Sequence, residues 1–334
     1  MATNMKRILM PMGMHPAGMA LVDARDDVEA VVLNNFTTAQ FHEALKEAHG
    51  VTLGLTPLGE PELQVANKLM CAARIGVGYD TVDVPALTKR GLPLMIAGVA
   101  NSVSVAEHAM FLMMAVAKRA LDYDRMVKEN RWQDRRHDMP VDLWQKTLLI
   151  IGFGRIGTRT AKRALGMEMS VLVFDPYVKA ETIRAAGCEP VSDLKAGLAR
   201  ADFVTVHCPK NKETINLIGA TELAAMKKTA YIVNTARGGI INEDALYDAL
   251  KGGVIKAAGI DVLDKEPPTE VHKLCSLPNI IMAPHMAGVT VESSARMAQA
   301  TVQNVLDVFD GKPDPNNVVN KEALKDPTKK NKAR

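Results

Sequence analysis

The sequence predicts an α/β protein made of two doubly wound parallel-sheet domains. Between residues 141 and 288, short apolar runs alternate with longer segments of helical period, and glycine or proline marks the turns between them. Short apolar runs are typical of strands buried on both faces, and long helical links imply parallel pairing through right-handed crossovers. A looser version of this alternation fills the first hundred residues, and the length of 334 residues also favours two domains.

The predicted strands follow these apolar runs along the chain. In the first hundred residues they are Arg7–Met10, Val51–Leu55, Ala73–Ile75 and Leu94–Ile96. In the central block they are Thr147–Ile151, Ser170–Phe174, Phe203–His207, Tyr231–Asn234, Ala257–Val262 and Ile280–Ala283. Two apolar segments, Ser102–Ala120 and Ser293–Phe309, indicate buried helices on either side of the central block. We therefore expect the first domain to recruit the C-terminal stretch, with the second domain inserted in it.

Composition and charge exclude several classes of protein. Apolar residues make up 47% of the chain and charged residues 24%, which is ordinary for a globular protein. The net charge of +3 arises from the last ten residues, Lys325–Arg334, which carry five positive charges against Asp326. We expect this tail to be disordered. We predict no nucleic-acid partner, because such a partner requires basic side chains concentrated on one face of the fold.

The cysteines and the N-terminal segment predict where the protein is found. The four cysteines are widely separated and have no CxxC spacing, which predicts reduced thiols in a cytoplasmic protein and no metal site. The basic pair Lys6-Arg7 precedes an apolar run, but Pro11 interrupts that run, so a secretory signal is not expected. No apolar run reaches the roughly 18 residues that span a membrane, and no membrane partner is predicted.

A glycine-rich turn follows the first strand of the central block. Leu148–Ile151 leads directly into Gly152, Gly154 and Gly157 at GxGxxG spacing, and a segment of helical period continues from there. The first glycine permits a tight turn, the second lets the backbone approach a pyrophosphate, and the third lets helix pack on strand. The helix N-terminus then faces the phosphates, and we expect Arg155 to add a contact. A turn without a ligand is the alternative, but the flanking strand and helix favour a Rossmann-type dinucleotide site.

An acidic residue ends the next predicted strand and discriminates between dinucleotides. Asp175 lies 18 residues after Gly157, close to the roughly 20 residues expected for a carboxylate that binds the adenosine ribose. A carboxylate here repels a 2′-phosphate, and the first cation after it is Lys179. The sequence therefore predicts NAD in preference to NADP.

Three polar residues lie just after predicted strands, where open α/β sheets bind their ligands. They are Arg237 after the strand at 231–234, Glu266 after the strand at 257–262, and His285 after the strand at 280–283. An arginine binds a carboxylate through two parallel hydrogen bonds. A glutamate next to a histidine stabilises the imidazolium and so keeps a proton donor near neutral pH. Hydride transfer to a 2-keto acid requires these groups, so the three residues predict that chemistry if they converge.

Each of these residues also has a structural interpretation when taken alone. An arginine after a strand is often a solvated residue at a helix start, an acid before Pro-Pro often forms a turn, and a histidine after proline is often structural. The remaining histidines keep a structural interpretation. Among them, His108 lies in the apolar helix and is expected to be a satisfied core residue.

The ordered set of motifs resembles the D-isomer-specific 2-hydroxyacid dehydrogenases. The sequence is most similar to their phosphoglycerate dehydrogenase branch without its C-terminal regulatory domain, from about residue 71 to residue 309. The stretches that carry the resemblance are Arg74–Asp83, Asn101–Glu107, Gly152–Asp175, Val206–Pro209, Asn234–Gly239, Asp261–Pro267 and Pro284–Gly288.

The resemblance implies a domain organisation and an assembly. It implies an NAD-binding domain at residues 102–287, inserted in a substrate domain formed by residues 1–101 and 288–324, with residues 325–334 as the disordered tail. It also implies a homodimer formed through the NAD-binding domains.

The same resemblance implies roles for individual residues. It assigns Arg237 to the substrate carboxylate, His285 to acid–base catalysis and Glu266 to orienting His285. The related formate dehydrogenases carry glutamine in place of Glu266. The substrate-binding residues implied besides Arg237 and His285 are Arg74, Val77, Gly78 and Asn101. The cofactor-binding residues implied are Gly152, Gly154, Arg155, Ile156, Gly157, Asp175, Cys208, Pro209, Thr235, Ala236, Asp261 and Gly288.

The substrate is predicted only as a class, a small D-2-hydroxy acid or its 2-keto form. Enzymes of the phosphoglycerate branch surround the substrate phosphate with arginines. Arg74 and the pair Arg135-Arg136 could supply such cations, although the pair could equally be a solvated loop or reach a partner subunit. The stretch Leu55–Pro57 lacks the arginine that the branch tends to have there. A second anionic group on the substrate is therefore a hypothesis, and the alternatives are glyoxylate or hydroxypyruvate reduction and a dinucleotide-sensing, co-repressor-like binding protein.

Overall fold

The computed structural model describes residues 5–324 and divides the chain into two compact units. Unit 1 comprises Met1–Asn101 and Val289–Arg334, and unit 2 comprises Ser102–Gly288. Unit 2 is therefore a continuous insertion in the sequence of unit 1. Each unit contains a parallel sheet with helices between its strands, which confirms the predicted fold class. The tail predicted to be disordered, residues 325–334, lies outside the described residues.

Unit 1 is a doubly wound domain with a five-stranded sheet. Its strands are β1 (Lys6–Met10), β2 (Val28–Val32), β3 (Gly50–Leu53), β4 (Cys71–Arg74) and β5 (Leu94–Ile96). Its helices are α1 (Pro16–Asp23), α2 (Thr38–Leu45), α3 (Glu60–Val65), α4 (Val84–Lys89) and α12 (Val291–Phe309), with a 3₁₀-helix at Lys321–Leu324. The spatial order β2-β1-β3-β4-β5 reverses direction between β1 and β3, which is the switch point of this sheet.

Unit 2 is a larger domain of the same class, with a seven-stranded sheet. Its strands are β6 (Thr147–Ile151), β7 (Ser170–Phe174), β8 (Glu189–Pro190), β9 (Phe203–Val206), β10 (Tyr231–Asn234), β11 (Ala257–Ile260) and β12 (Ile280–Met282). Its helices are α5 (Ser102–Ala117), α6 (Ala120–Lys128), α7 (Gly157–Gly166), α8 (Ala180–Ala185), α9 (Leu194–Arg200), α10 (Ala220–Ala225) and α11 (Glu243–Lys251), with 3₁₀-helices at Trp132–Arg136 and Lys273–Ser276. The order β12-β11-β10-β9-β6-β7-β8 places the switch point between β6 and β9.

Both faces of the unit 2 sheet are buried, which explains its apolar runs without alternation. In β6, Leu148 and Ile150 face a cluster that includes α5 and α7, whereas Leu149 and Ile151 face the cluster on the opposite side. Each such side chain contributes about 1.5–3 kcal/mol when it is buried. A strand with two apolar faces is therefore stable only between two layers of helices.

In unit 1, the C-terminal helix α12 covers one face of the sheet. Its Val302 and Val305 pack in a cluster with Ile8 of β1. Asn304 donates to the carbonyl of Ile96 at 2.8 Å, and the Thr301 hydroxyl donates to the carbonyl of Arg74 at 3.1 Å. The C-terminal stretch is thus part of the core of unit 1.

The sequence-based assignment missed two strands, β2 and β8, and both lie at sheet edges. In β2, Glu29 interrupts the apolar residues and the strand is partly exposed, whereas β8 has only two residues, Glu189 and Pro190. Among the described residues, no helix combines the length and the hydropathy required to cross a membrane.

Candidate active site

The sheet of unit 2 places the three predicted polar residues on neighbouring loops. Strands β10, β11 and β12 are adjacent and parallel, and the loops after them carry Arg237, Glu266 and His285 respectively. Because neighbouring parallel strands end at the same edge of a sheet, the structure brings these three residues together within one unit.

His285 and Glu266 form a short hydrogen bond. His285 Nδ1 lies 2.5 Å from Glu266 Oε2, and Glu266 Oε1 accepts from the backbone N–H of Leu263 at 2.7 Å. With one oxygen fixed by the backbone, the carboxylate orients the imidazole and selects the tautomer with a proton on Nδ1. Nε2 is then the nitrogen that exchanges a proton with a ligand.

The electrostatic surroundings keep Glu266 ionised at neutral pH. Partial burial raises the pKa of Glu266, but the hydrogen bonds from His285 and Leu263 and the charges of His285 and Arg237 outweigh it, so the net pKa lies below the usual value. The side chains of His285 and Glu266 are 42% and 31% exposed, so a small molecule can reach the pair.

His285 has a left-handed backbone conformation, with φ of 56°, which is uncommon for a residue other than glycine. Asp261, directly after β11, stabilises it. The backbone carbonyl of Asp261 accepts from His285 N–H at 2.7 Å, and its carboxylate oxygens accept from the N–H groups of Met286 and Ala287, each at 2.9 Å. Burial raises the pKa of Asp261, although these amide contacts oppose the effect. The structure thus gives Asp261, predicted as a cofactor contact, the role of fixing the turn that carries His285.

The Arg237 turn is organised by Asn234, which the sequence analysis did not single out. Asn234 is 2% exposed, its Nδ2 donates to the carbonyl of Arg237 at 2.9 Å, and its Oδ1 accepts from Ala236 N–H at 3.0 Å. Arg237 itself donates through Nη1 to the carbonyl of Ala236 at 2.7 Å. An asparagine at a strand end that closes its own turn is a known signal, and it could have been predicted from the sequence.

The glycine-rich loop has the geometry that the GxGxxG spacing predicts. Gly152 has φ of 96°, and a Cβ there would lie 2.5 Å from the backbone nitrogen of Cys208. A Cβ at Gly157 would overlap the carbonyl oxygen of Gly152, so strand and helix approach closely. At Gly154 a Cβ would meet nothing within 4 Å. The second glycine therefore faces the open space that a pyrophosphate requires.

The other predicted cofactor residues lie around this loop and the neighbouring strand ends. Asp175 accepts from Phe153 N–H at 2.7 Å and from Tyr177 N–H at 2.9 Å, which fixes its carboxylate beside the glycine-rich loop. The Thr235 hydroxyl is buried without a hydrogen-bond partner in the described chain. Burial raises the pKa of the Cys208 thiol to about 11, so the thiol stays neutral. The remaining predicted contacts are Arg155 and Ile156 in the loop, Pro209 after Cys208, Ala236 before Arg237, and Gly288 at the end of the His285 turn.

These observations fit a bound dinucleotide. Gly154 leaves space for the phosphates, Asp175 offers a carboxylate for ribose hydroxyls, and Thr235 has a buried hydroxyl that lacks a partner in the described chain. The residues that would hold NAD therefore lie at the carboxyl ends of β6, β7 and β10.

His207, which the sequence predicts to be structural, contacts the helix that follows the glycine-rich loop. Its Nε2 lies 3.2 Å from the Thr160 hydroxyl in α7 and 3.1 Å from the Thr205 hydroxyl in β9. Burial of the imidazole lowers the pKa of His207 to about 3, so the imidazole is neutral. His207 therefore connects the helix after the loop to the adjacent strand.

Unit 1 contains the remaining predicted substrate residues. Arg74 is 8% exposed, and it donates through Nε to the carbonyl of Gly78 at 2.5 Å and through Nη1 to the carbonyl of Leu53 at 3.0 Å. Val77 and Gly78 are half-buried in the loop after β4, and Asn101 Oδ1 is a buried acceptor without a partner in the described chain. Arg74 thus holds the loop that carries Val77 and Gly78.

Two further expectations concern residues outside these loops. Arg135 and Arg136 lie on an exposed 3₁₀-helix, and Arg135 donates to the carbonyl of Trp132 and lies over its ring at 5.8 Å. The expectation that His108 is a satisfied core residue is wrong. Its buried Nε2 has no hydrogen-bond partner among the described residues and lies 3.8 Å from Asp261 Oδ1, because α5 passes beside the carboxyl end of β11.

The fold and the site define a dinucleotide-binding α/β protein with an arginine and a histidine–glutamate pair beside the cofactor strands. Residues 110–287 match the family model described as D-isomer specific 2-hydroxyacid dehydrogenase, NAD binding domain. The chain belongs to the D-isomer specific 2-hydroxyacid dehydrogenase family.

Several relatives are similar over most of this chain. A D-3-phosphoglycerate dehydrogenase of Archaeoglobus fulgidus is 41% identical over 75% of this chain and 47% of its own length. A glyoxylate reductase of Korarchaeum cryptofilum is 37% identical over 85% of this chain and 86% of its own length. The chain thus spans about half the length of the phosphoglycerate dehydrogenases that it matches. A crystal structure of D-lactate dehydrogenase from Aquifex aeolicus, complexed with NAD and lactic acid, has a TM-score of 0.83 at 26% sequence identity. The match covers 94% of this chain and 99% of the D-lactate dehydrogenase chain.

Proposed function

We propose that the protein is an NAD-dependent oxidoreductase that transfers a hydride between nicotinamide and a small D-2-hydroxy acid or its 2-keto form. The observation that carries this proposal is the hydrogen bond of 2.5 Å between His285 and Glu266. The loop of Glu266 lies next to the loop of Arg237, in the sheet that also carries the dinucleotide strands. Bound NAD supplies the hydride acceptor or donor.

The residues of the chain move the proton and hold the substrate. In the oxidation direction, His285 Nε2 accepts the hydroxyl proton as the C2 hydrogen leaves as hydride, and the Glu266 carboxylate stabilises the imidazolium that results. In the reduction direction, the same imidazolium returns the proton to the keto oxygen. Arg237 binds the substrate carboxylate through its guanidinium, which sets the distance between C2 and His285.

The carboxylate of Asp175 supports NAD rather than NADP. It is fixed by two backbone N–H groups at the end of β7, where it accepts ribose hydroxyls and repels a 2′-phosphate. A comparison of turnover with NADH and NADPH tests this preference, and equal turnover would contradict it.

Features of unit 1 favour a small apolar substrate side chain over one with a second anion. The loops after its five strands, residues 11–15, 33–37, 54–59, 75–83 and 97–101, contain no lysine or arginine. Two exposed apolar side chains flank the switch point of the sheet, Met12 after β1 and Leu55 after β3, with exposed fractions of 47% and 74%. Arg74 donates to two backbone carbonyls instead of pointing to solvent. The related D-lactate dehydrogenase structure holds lactic acid, whose side chain is a methyl group.

A panel of 2-keto acids with NADH tests both the activity and the side-chain preference. We expect pyruvate and its longer aliphatic homologues to be reduced with higher kcat/KM than oxaloacetate, 3-sulfopyruvate and 3-phosphohydroxypyruvate. The opposite order would restore the hypothesis of a second anionic group, and a preference for glyoxylate or hydroxypyruvate would favour the reductase alternative. No NADH oxidation with any of these acids would overturn the proposed activity. The D-hydroxy acids, and not their L-enantiomers, should then reduce NAD.

We also propose the homodimer and the cytoplasmic location that the sequence predicts. Helix α5 exposes Phe111 and Met114, which line an apolar groove with Met110 and Met167. A second copy related by a two-fold axis would cover this groove with the same surface. Light scattering of the purified protein tests the dimer, and a monomer mass would contradict it. The four cysteines are free thiols, which supports a reducing compartment.

A further inference from the structure

The loop that carries Glu266 is held at Asp264 by two residues from other parts of unit 2. The backbone N–H of Asp264 donates to Glu243 Oε1 at 2.6 Å, and the Asp264 carboxylate accepts from Lys210 Nζ at 2.6 Å. Glu243 is the first residue of α11, and Lys210 lies in the loop after β9. One residue of the loop is therefore fixed through both its backbone and its side chain.

Glu243 is itself held by a second contact. Its Oε2 lies 3.1 Å from Nε2 of His272, and His272 Nδ1 accepts from the backbone N–H of Leu274 at 3.4 Å. Because Nδ1 is an acceptor, Nε2 carries the proton and donates to Glu243. Both carboxylate oxygens of Glu243 are thus engaged, which defines its orientation toward Asp264.

The same segment packs against the turn that carries Arg237. A Cβ at Gly238 would overlap the backbone of Leu263 and Asp264, and a Cβ at Gly239 would lie 2.5 Å from Asp264 Oδ1. Contact this close couples the two loops, because neither backbone can shift without displacing the other. The position of Leu263 and Asp264 therefore affects Arg237 directly and Glu266 through the Leu263 N–H.

We propose that Glu243 and Lys210 are positioning residues that keep the Glu266–His285 pair aligned with Arg237. By holding Asp264, they keep the Leu263 N–H on Oε1 of Glu266, so that Oε2 remains on His285. Without them the carboxylate is free to rotate away, and His285 loses the anion that stabilises its protonated form. The kinetic consequences rest on the proposed function, whereas the effect on the His285 imidazole does not.

The adjacent residue on α11 provides a matched control. Glu243→Ala removes the contact to Asp264, whereas Asp244→Ala removes a neighbouring carboxylate whose ion-pair partner among the described residues is Lys273. Lys210→Met and Lys273→Met form a second pair, in which each variant removes one lysine from an ion pair with an aspartate. Glu243→Gln retains an oxygen that can accept from the Asp264 N–H and is expected to restore most of the loss.

Two measurements on the full-length protein test the proposal. They are steady-state reduction of a 2-keto acid as a function of pH, and NMR titration of the His285 imidazole, identified by its absence in His285→Ala. We expect Glu243→Ala to lower kcat about tenfold, the effect of one lost hydrogen bond to a charged group, and to leave the dissociation constant of NADH unchanged. Both the pH midpoint of kcat and the imidazole titration should move to lower pH, with a smaller movement in Lys210→Met and none in the controls.

Equal kcat and equal titration midpoints in Glu243→Ala and Asp244→Ala would overturn the proposal. If Glu243→Ala folds poorly, the comparison of Lys210→Met with Lys273→Met decides the same point. If the wild-type protein reduces no 2-keto acid, the proposed function fails, while the imidazole titration still determines whether Glu243 positions the pair.

Discussion

The two units share one architecture, yet the loops at the carboxyl ends of their strands differ in chemistry. In unit 2 these loops carry Arg237, Glu266 and His285, and buried contacts from Asp261 and Asn234 hold them in place. In unit 1 the corresponding loops carry exposed apolar side chains and contain no lysine or arginine. A doubly wound sheet thus provides the location of a site, while the residues of its loops determine what that site does. In our proposal, proton transfer therefore belongs to unit 2 and side-chain selection to unit 1.

The largest expected effect comes from removing His285, the proposed proton donor of unit 2. His285→Ala should lower kcat by about 10²- to 10⁴-fold, because general acid–base catalysis by a positioned side chain contributes that much. The affinity for NADH should remain unchanged, since the glycine-rich loop and Asp175 are untouched. Steady-state kinetics and NADH fluorescence titration measure the two quantities. Wild-type turnover in this variant would exclude His285 as the proton donor.

A smaller effect should follow from neutralising the partner of His285. Glu266→Gln should lower kcat/KM about 10- to 100-fold, which corresponds to one hydrogen bond to a charged group. The wild-type pKa of Glu266 lies below its usual value, so its carboxylate is ionised throughout the neutral range and favours the imidazolium. With a neutral amide in its place, kcat/KM for keto acid reduction should begin to fall at a lower pH than in the wild type. An unchanged pH profile would show that Glu266 does not tune the donor.

The role of unit 1 is tested by adding the cation that its loops lack. Leu55→Arg should raise the ratio of kcat/KM for oxaloacetate to that for pyruvate about tenfold or more, because a new charge-assisted hydrogen bond becomes available to the second carboxylate. Leu121→Arg is the control, since Leu121 is an exposed leucine of α6 in unit 2. An identical ratio in both variants would contradict the assignment of side-chain selection to this edge of unit 1.

The smallest expected effect concerns stability and contrasts the buried polar groups of the two units. Arg74 is buried in unit 1 with backbone carbonyls as acceptors, whereas His207 is buried in unit 2 as a neutral imidazole. The folded-state pKa of His207, about 3, lies below the unfolded value. The unfolded chain therefore takes up a proton first as the pH falls through about 6.5. The contribution of neutral His207 to the free energy of unfolding is complete above that pH. About 1.4 kcal/mol of the free energy of unfolding should be lost between about pH 7.5 and 5.5.

The matched variant for this measurement is His207→Gln. Urea unfolding at the two pH values should show a smaller loss of stability in the variant than in the wild type by that amount. Equal losses would mean that the unfolded chain does not gain this proton, or that the folded chain gains it as well.

The central block shows how much of the fold could be predicted from the sequence alone. Its six predicted strands begin at the observed residues, because strands buried on both faces leave an apolar run with turn residues at each end. The edge strands β2 and β8 were missed, because Glu29 interrupts the first and the second has only two residues. The glycine spacing, Asp175 and the three polar residues after strands were likewise evident from local sequence, since each follows directly from a strand end.

The sequence by itself therefore determined where the central strands begin, the glycine-rich turn and the identity of the polar residues that follow the strands. Only the tertiary structure decided which of these side chains meet. Three contacts each join residues from separate loops. They are the 2.5 Å contact of His285 with Glu266, the hydrogen bonds of Asp261 to the His285 turn, and the hydrogen bond between Glu243 and Asp264. The physical reason is that local sequence sets backbone propensity and burial over a few residues, whereas contacts between loops depend on the order in which strands pair.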